Sequence, residues 1–162
     1  MNIEYNVFDF PIGKITIAVN DFTVVALHIE GDRYLKSIPK NWILNSNNEL
    51  LNQTYREINE YFFGDRKVFD MPIYTEGTDF QESVWDVVKR IPFGSTLSYS
   101  DIAYKINKPK AARAVGMAIG RNPICLFIPC HRVVTSSGRL GGYVAGIKIK
   151  EYLLKLEGSY KY

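Results

Sequence analysis

At 162 residues and 18.5 kDa, with 46% apolar and 14% aromatic residues, the chain is long enough to bury a core in one domain or two small ones. No stretch approaches the roughly 18 uninterrupted apolar residues of a membrane span, Met1-Asn2-Ile3-Glu4 lacks the basic-then-apolar plan of a signal peptide, and two cysteines exclude a secreted disulfide framework, so a cytoplasmic protein with no membrane partner is expected. The net charge of +3 is unevenly spread: residues 1–76 carry 7 Lys and Arg against 11 Asp and Glu, residues 77–162 carry 13 against 6, and the second part is therefore the anion-binding one.

The first third reads as strands joined by tight turns. Ile3 to Phe8, Gly13 to Val19 and Phe22 to Ile29 are rich in β-branched and aromatic residues, and Asn20-Asp21 between the last two runs is a hairpin signal. Leu50, Leu51, Tyr55, Ile58, Tyr61 and Phe62 then recur at helical spacing, with Gly64 as the stop. A small antiparallel sheet covered by one helix is the expected result. Phe69 to Tyr74 is a short extended connection, and the polar Thr75-Glu76-Gly77-Thr78 marks a domain boundary, giving one domain over 1–76 and another over 77–162.

Past that boundary the period becomes helical. Phe80, Val84, Val87, Val88 and Ile91 form one core-facing stripe, with Thr78 or Asp79 as N-cap and Pro92-Phe93-Gly94 as the stop. Ser98 to Ile106 and Lys110 to Gly120, separated by Asn107-Lys108-Pro109, are two short helices around a tight turn, a helix-turn-helix pattern. The second helix is rich in Ala and Gly, with Arg113 the long side chain among small ones. Such a face has little with which to read base edges in a major groove. It suits close, shape-based contact with the shallow minor groove, one side chain standing in for a displaced base. Tight helix packing is the other use of small residues, which Arg113 fits less easily because burying its charge unpaired is costly.

Ile128-Pro129-Cys130-His131-Arg132-Val133 then places a thiol beside an imidazole in an apolar segment, in a chain with only two cysteines and two histidines. A nearby base raises the thiolate population above the few per cent expected near neutral pH, and the thiolate is a strong nucleophile toward carbon; simple burial of a small apolar group is the alternative use of a free cysteine. In an extended strand the two side chains would point to opposite faces, so the backbone must turn here or a water must bridge them. Cys125, Cys130 and His131 lack paired C-x2-C spacing and His28 is about a hundred residues away, so no metal is expected.

Several blocks, in order and spacing, resemble the O6-alkylguanine-DNA alkyltransferases, the single-turnover DNA repair proteins. They are Phe80-Gln81-x-x-Val84-Trp85, Ile91-Pro92-x-Gly94-x-Thr96-x-Ser98-Tyr99, Arg113-Ala114-Val115-Gly116, Asn122-Pro123, Ile128 to Val133, Gly138-x-Leu140-Gly141-Gly142-Tyr143 and Leu153-Leu154-x-x-Glu157. The N-terminal third resembles the family only in its pattern of strands and helix. The resemblance implies an α+β fold: a ribonuclease H-like N-terminal sheet with its covering helix, then a mostly helical, winged-helix-like domain that binds DNA and transfers the alkyl group. It makes Cys130 the alkyl acceptor, attacking the alkyl carbon in line and keeping it as a thioether. His131 becomes the base, acting through a bridging water, and Glu157 the carboxylate that orients the imidazole. Tyr99 would donate to a ring nitrogen of the flipped base, Arg113 would fill the gap that base leaves, and Asn122 would pin the turn before the active-site segment. Ala112, Ala114, Gly116, Tyr99 and Arg132 join Arg113 as implied DNA contacts, with Lys108, Lys110, Arg121 and Arg132 as phosphate neutralisers. Val133, Tyr143 and Val144 would line the pocket. The implied partner is double-stranded DNA containing O6-alkylguanine, with O4-alkylthymine as a second substrate, met by a monomer that uses no cofactor.

Some positions depart from the better-known members. Cys125 stands where several relatives carry proline, and Val144 where many have serine or glycine, which narrows the pocket against bulky adducts while admitting methyl. The cysteines and histidines that hold zinc in some relatives are missing. Three other readings compete: the alkyltransferase-like proteins, which bind the lesion without transfer but have tryptophan in place of the nucleophile; a major-groove regulator; and a cysteine hydrolase, which would need a deacylation route.

Overall fold

The computed structural model describes residues 2–32 and 37–160, which divide into two compact units: Met1–Thr75 with Pro123–Cys125, and Glu76–Asn122 with Leu126–Tyr162. The fold is α+β, with five α-helices among the described residues.

In the first unit β1 (Glu4–Phe10), β2 (Gly13–Val19) and β3 (Val24–Ile29) form an antiparallel meander. A fourth strand, β4 (Ile43–Leu44), adds in parallel to β1, giving the order β3-β2-β1-β4. Both residues of β4 are exposed, and two residues carry no alternation, so no periodicity announces it. Expected to begin at Phe22, β3 begins at Val24 instead. The side-chain oxygen of Asn20 accepts the backbone N–H groups of Phe22 and Thr23 at 2.8 and 2.7 Å, which holds those residues in the turn and leaves Phe22 exposed. Helix α1 (Glu49–Phe63) is capped by Asn48, whose side chain accepts from Leu51 N, and closes at Gly64. It lays Leu51, Ile58 and Phe62 on the sheet, where Ile15, Ile17, Leu27 and Ile29 supply the other half of the core. The outer edge of β3 is covered by two short segments, through bridges to Ile73 and to Ile124.

The second unit is mostly helical. Helix α2 (Asp79–Lys89) starts in a capping box, with Thr78 and Gln81 satisfying each other's backbone donors, and ends at Arg90, two residues before the expected proline stop. The residue before a proline is driven out of helical conformation, so Ile91 cannot extend the helix. A two-residue strand β5 (Leu97–Ser98) pairs in parallel with β6 (Val133–Val134). Ser98 is then the N-cap of α3 (Tyr99–Lys105), again in a capping box, with Asp101. The turn to α4 (Ala112–Gly120) passes through Asn107 at φ +62°, a left-handed C-terminal stop of the kind asparagine tolerates, with Lys108 N–H reaching back to Ala103 O. Helices α2, α3 and α4 pack on one another, and Trp85 of α2 donates its Nε1–H to the carbonyl of Ala118 on α4 at 2.9 Å. Helix α5 (Ile147–Leu156) completes the unit.

Candidate active site

Cys130, His131 and Arg132 form a single 3₁₀ turn, not a strand, so the thiol and imidazole escape the opposed geometry of consecutive strand residues. Two local devices shape this turn. Pro129 precedes it at φ −79°, and Asn122 at the C-terminal side of α4 donates from its side-chain nitrogen to the carbonyl of Ile128 at 2.7 Å, closing the intervening loop. All three residues of the turn are buried, Cys130 to 1%.

Glu157, the C-cap of α5, meets the turn from the opposite side. Its Oε2 lies 2.7 Å from His131 Nε2 and accepts from Arg132 Nη2 at 2.9 Å, while Oε1 accepts from Arg132 Nε at 2.8 Å. Burial pushes the Glu157 carboxyl up, but the hydrogen bonds from His131 and Arg132 and their charges outweigh it and hold the group at about 2. Glu157 is therefore a carboxylate and only an acceptor, so His131 Nε2 carries the hydrogen. His131 itself is pushed below its ordinary value by burial, against the opposing pull of Glu157, so the imidazole is neutral near pH 7. Its other nitrogen, Nδ1, is then an unprotonated base, and no hydrogen-bonding group among the described residues reaches it. Carboxylate and imidazole are thus paired, and the unprotonated nitrogen belongs to the residue next to the Cys130 thiol in the same 3₁₀ turn.

Arg132, expected among the surface cations and DNA contacts, is not at the surface. It is buried, its third hydrogen bond runs from Nη1 to the carbonyl of Ile91 at 2.7 Å, and its charge is spent on Glu157.

Tyr99, the first residue of α3, is raised above its ordinary value by burial and by the charge of a Cys130 thiolate, which places its hydroxyl within electrostatic reach of the sulfur. Its ring is wedged between two glycines. A Cβ at Gly116 would sit 3.7 Å from the ring, and one at Gly141, where φ is +72°, would come within 3.0 Å of the hydroxyl. The small residue at 116 thus has a packing partner inside the protein.

One functional group lies outside the residues singled out from the sequence. Lys150 of α5 is fully buried, and its Nζ donates to the carbonyls of Val133 at 2.6 Å and Gly142 at 3.0 Å. Burial lowers it to about 8, partly opposed by the charge of Cys130. It ties the expected pocket residue Val133 to the 141–144 loop, which carries Tyr143, half-buried, and Val144, buried. The signal was present in the sequence: Lys150 falls on the same helical face as Leu153, Leu154 and Glu157.

Arg113 and Ala114 stand exposed on α4, Ala112 is half-buried, and Lys108, Lys110 and Arg121 are exposed. Cys125 is buried in the first unit, its N–H donating to Leu27 O at 3.1 Å.

Comparison with known proteins covers nearly the whole chain. Residues 3–75 match the family model described as 6-O-methylguanine DNA methyltransferase, ribonuclease-like domain, and residues 79–159 match its DNA binding domain. A methylated-DNA--protein-cysteine methyltransferase of Methanosarcina acetivorans is 43% identical over 155 residues, covering 96% of this chain and 98% of that protein. One from Mycobacterium tuberculosis is 41% identical over 157 residues, covering 97% and 93%. The crystal structure of Mycobacterium tuberculosis OGT in complex with DNA superposes with a TM-score of 0.89 at 39% identity, covering 96% of this chain and 93% of that one.

Proposed function

The chain belongs to the 6-O-methylguanine DNA methyltransferase family, and from that premise we propose that it repairs DNA by moving the alkyl group of O6-alkylguanine, and of O4-alkylthymine, onto Cys130. The observation that carries this reading is the buried run Glu157–His131 beside Cys130, with the imidazole neutral and its Nδ1 unprotonated. His131 Nδ1 takes the thiol proton through a bridging water, and Glu157 stabilises the imidazolium that results. The thiolate attacks the alkyl carbon in line. The carbon–oxygen bond breaks, its electron pair passes to the guanine, and the Tyr99 hydroxyl donates to a ring nitrogen as charge builds there. Guanine regains its proton, and Cys130 keeps the alkyl group as a thioether with no hydrolytic exit, so each molecule acts once. Lys150 supports the site by holding the Val133 carbonyl, which accepts from the base edge, and by placing a positive charge near the thiolate.

The work divides at the boundary near residue 76. Residues 77–162 bind DNA and transfer the alkyl group, and residues 1–76 form the α/β domain that precedes them. On α4, Ala112, Ala114 and Gly116 let the backbone approach the minor groove, Arg113 replaces the flipped nucleotide, and Lys108, Lys110 and Arg121 neutralise phosphates. The α4 N-terminus has no side-chain cap, so its N–H groups are open to a phosphate oxygen. Val133, Tyr143 and Val144 bound the pocket, with the branched Val144 favouring methyl over bulky adducts. The protein works as a monomer without a cofactor, in the cytoplasm; no helix among the described residues is long and apolar enough to cross a membrane.

The deciding experiment is intact-protein mass spectrometry after incubation with an oligonucleotide carrying one O6-methylguanine, followed by peptide mapping. One methyl per protein, on Cys130 and absent from Cys130→Ala, is the expected result. An unmodified protein that still binds the lesion would instead be a damage sensor.

A further inference from the structure

The exposed face of α4 carries one feature that neither shape-based contact nor phosphate neutralisation uses. Val115, Ala118 and Ile119 are buried, and directly opposite them Met117 stands 70% exposed. Arg113 and Arg121 lie one turn before and one turn after it on the same face, with only Ala114, Gly116 and Gly120 between. Met117 is therefore the tallest apolar group on a face otherwise made of small residues and cations. Along the chain no Asp or Glu occurs between Asp101 and Glu151, a span that includes Lys105, Lys108, Lys110, Arg113, Arg121, Arg139 and Lys148.

We propose that Met117 is a second wedge, apolar where Arg113 is cationic, which enters the minor groove about two base steps from the displaced nucleotide and unstacks the duplex there. The proposal rests on the minor-groove reading of α4. Four residues advance a helix by about 6 Å, close to two steps of roughly 3.4 Å in the duplex, so a helix lying along the groove sets the two side chains at successive openings. Proteins that bend DNA from the minor groove commonly insert Met, Leu, Ile or Phe between base pairs. The flexible, polarisable thioether adapts to such an irregular slot. Arg113 in the gap of the displaced nucleotide and the phosphate contacts of Lys108, Lys110 and Arg121 already hold the helix in the groove, so the cost of unstacking is met by contacts in place.

The test uses the whole chain and duplexes holding one O6-methylguanine, with 2-aminopurine two base pairs to its 5′ or its 3′ side. Wild-type protein is expected to raise the fluorescence of one of these probes. Met117→Ala should bind about tenfold more weakly, a loss of ~1.4 kcal/mol, and lose the fluorescence rise while its affinity keeps the same salt dependence. Met117→Leu should recover both. The site is exposed, so an unchanged melting temperature identifies a folded variant. Met117→Ala binding within twofold of wild type, or a wild-type complex that leaves both probes stacked, overturns the wedge. Arg113→Ala separates the two ideas: if it weakens duplex binding while Met117→Ala does not, the wedge falls and the minor-groove reading stands; if wild type fails to bind the lesion duplex, both fall.

Discussion

Glu157 is the hub of the reactive centre, because one carboxylate both orients His131 and neutralises a buried guanidinium. That arrangement sets the pH response. Burial holds His131 below its ordinary value of 6.5, so the imidazole stays neutral, and able to accept the thiol proton, at pH values where an exposed histidine is already charged. The rate of methyl transfer, followed by quenched-flow mass spectrometry, should therefore hold as the pH falls from 7 through 6.5 and drop only on further acidification. Glu157→Gln should cost about a hundredfold or more in that rate, because an amide can donate to Nε2 and hold the imidazole in the tautomer whose Nδ1 is already protonated. A rate within a few-fold of wild type would remove Glu157 from the relay. At this scale the sequence was legible where a rare pair stood together, as in Cys130-His131, and illegible where a partner is far along the chain. Arg132 reads as a surface cation until Glu157, 25 residues later, is seen to hold it. Lys150 shares a helical face with Leu153, Leu154 and Glu157 in the sequence, but the two buried carbonyls that its ammonium holds, on residues 133 and 142, show only in the fold.

The elements that carry these residues are tied together by single contacts of high leverage. Trp85 fastens α2 to the helix that presents Arg113, and its bond to Ala118 O is buried. Trp85→Phe keeps most of the ring but removes that bond, leaving the Ala118 carbonyl only the 3.1 Å bond from Arg121 N–H, which should cost about 0.5–1.5 kcal/mol on denaturant unfolding. Because the slack appears at α4, repair of O6-methylguanine in duplex DNA should fall more than reaction with the free alkylated base; equal losses would mean that the bond serves stability alone. Long, alternating or amphipathic elements were readable in the sequence: β2, α1, α2 and both helices of the helix-turn-helix pair stand close to their expected places. The failures were those where something other than periodicity decides. The parallel strand β4 consists of two exposed residues, and the start of β3 is displaced by the Asn20 side chain.

Across the whole molecule the opposed charges of the two parts of the chain were plain from composition, and they predict how DNA affinity responds to salt. If Lys108, Lys110 and Arg121 each neutralise one phosphate, the logarithmic slope of affinity against salt is about −2.7, and affinity falls about fortyfold between roughly 50 and 200 mM. Binding titrations at several salt concentrations measure this; a flat response would leave the basic surface without a nucleic-acid role. Composition could not reveal what the reaction does to the protein itself. Cys130 is 1% exposed in a run of buried residues that includes Ile128, His131 and Val133, so the methyl it acquires adds volume inside the protein rather than at its surface. Overpacking of this kind costs roughly 1–3 kcal/mol, and for a chain of this size each kcal/mol moves the melting temperature by about 2–4 °C. The methylated protein should therefore melt several degrees below the unreacted one in parallel thermal scans. A spent molecule would then also be a loosened one, with local opening around the 3₁₀ turn that hydrogen exchange at Cys130–Val133 would report. A melting temperature that holds or rises would mean that the site keeps room for the methyl group, and that the single turnover leaves no mark on stability.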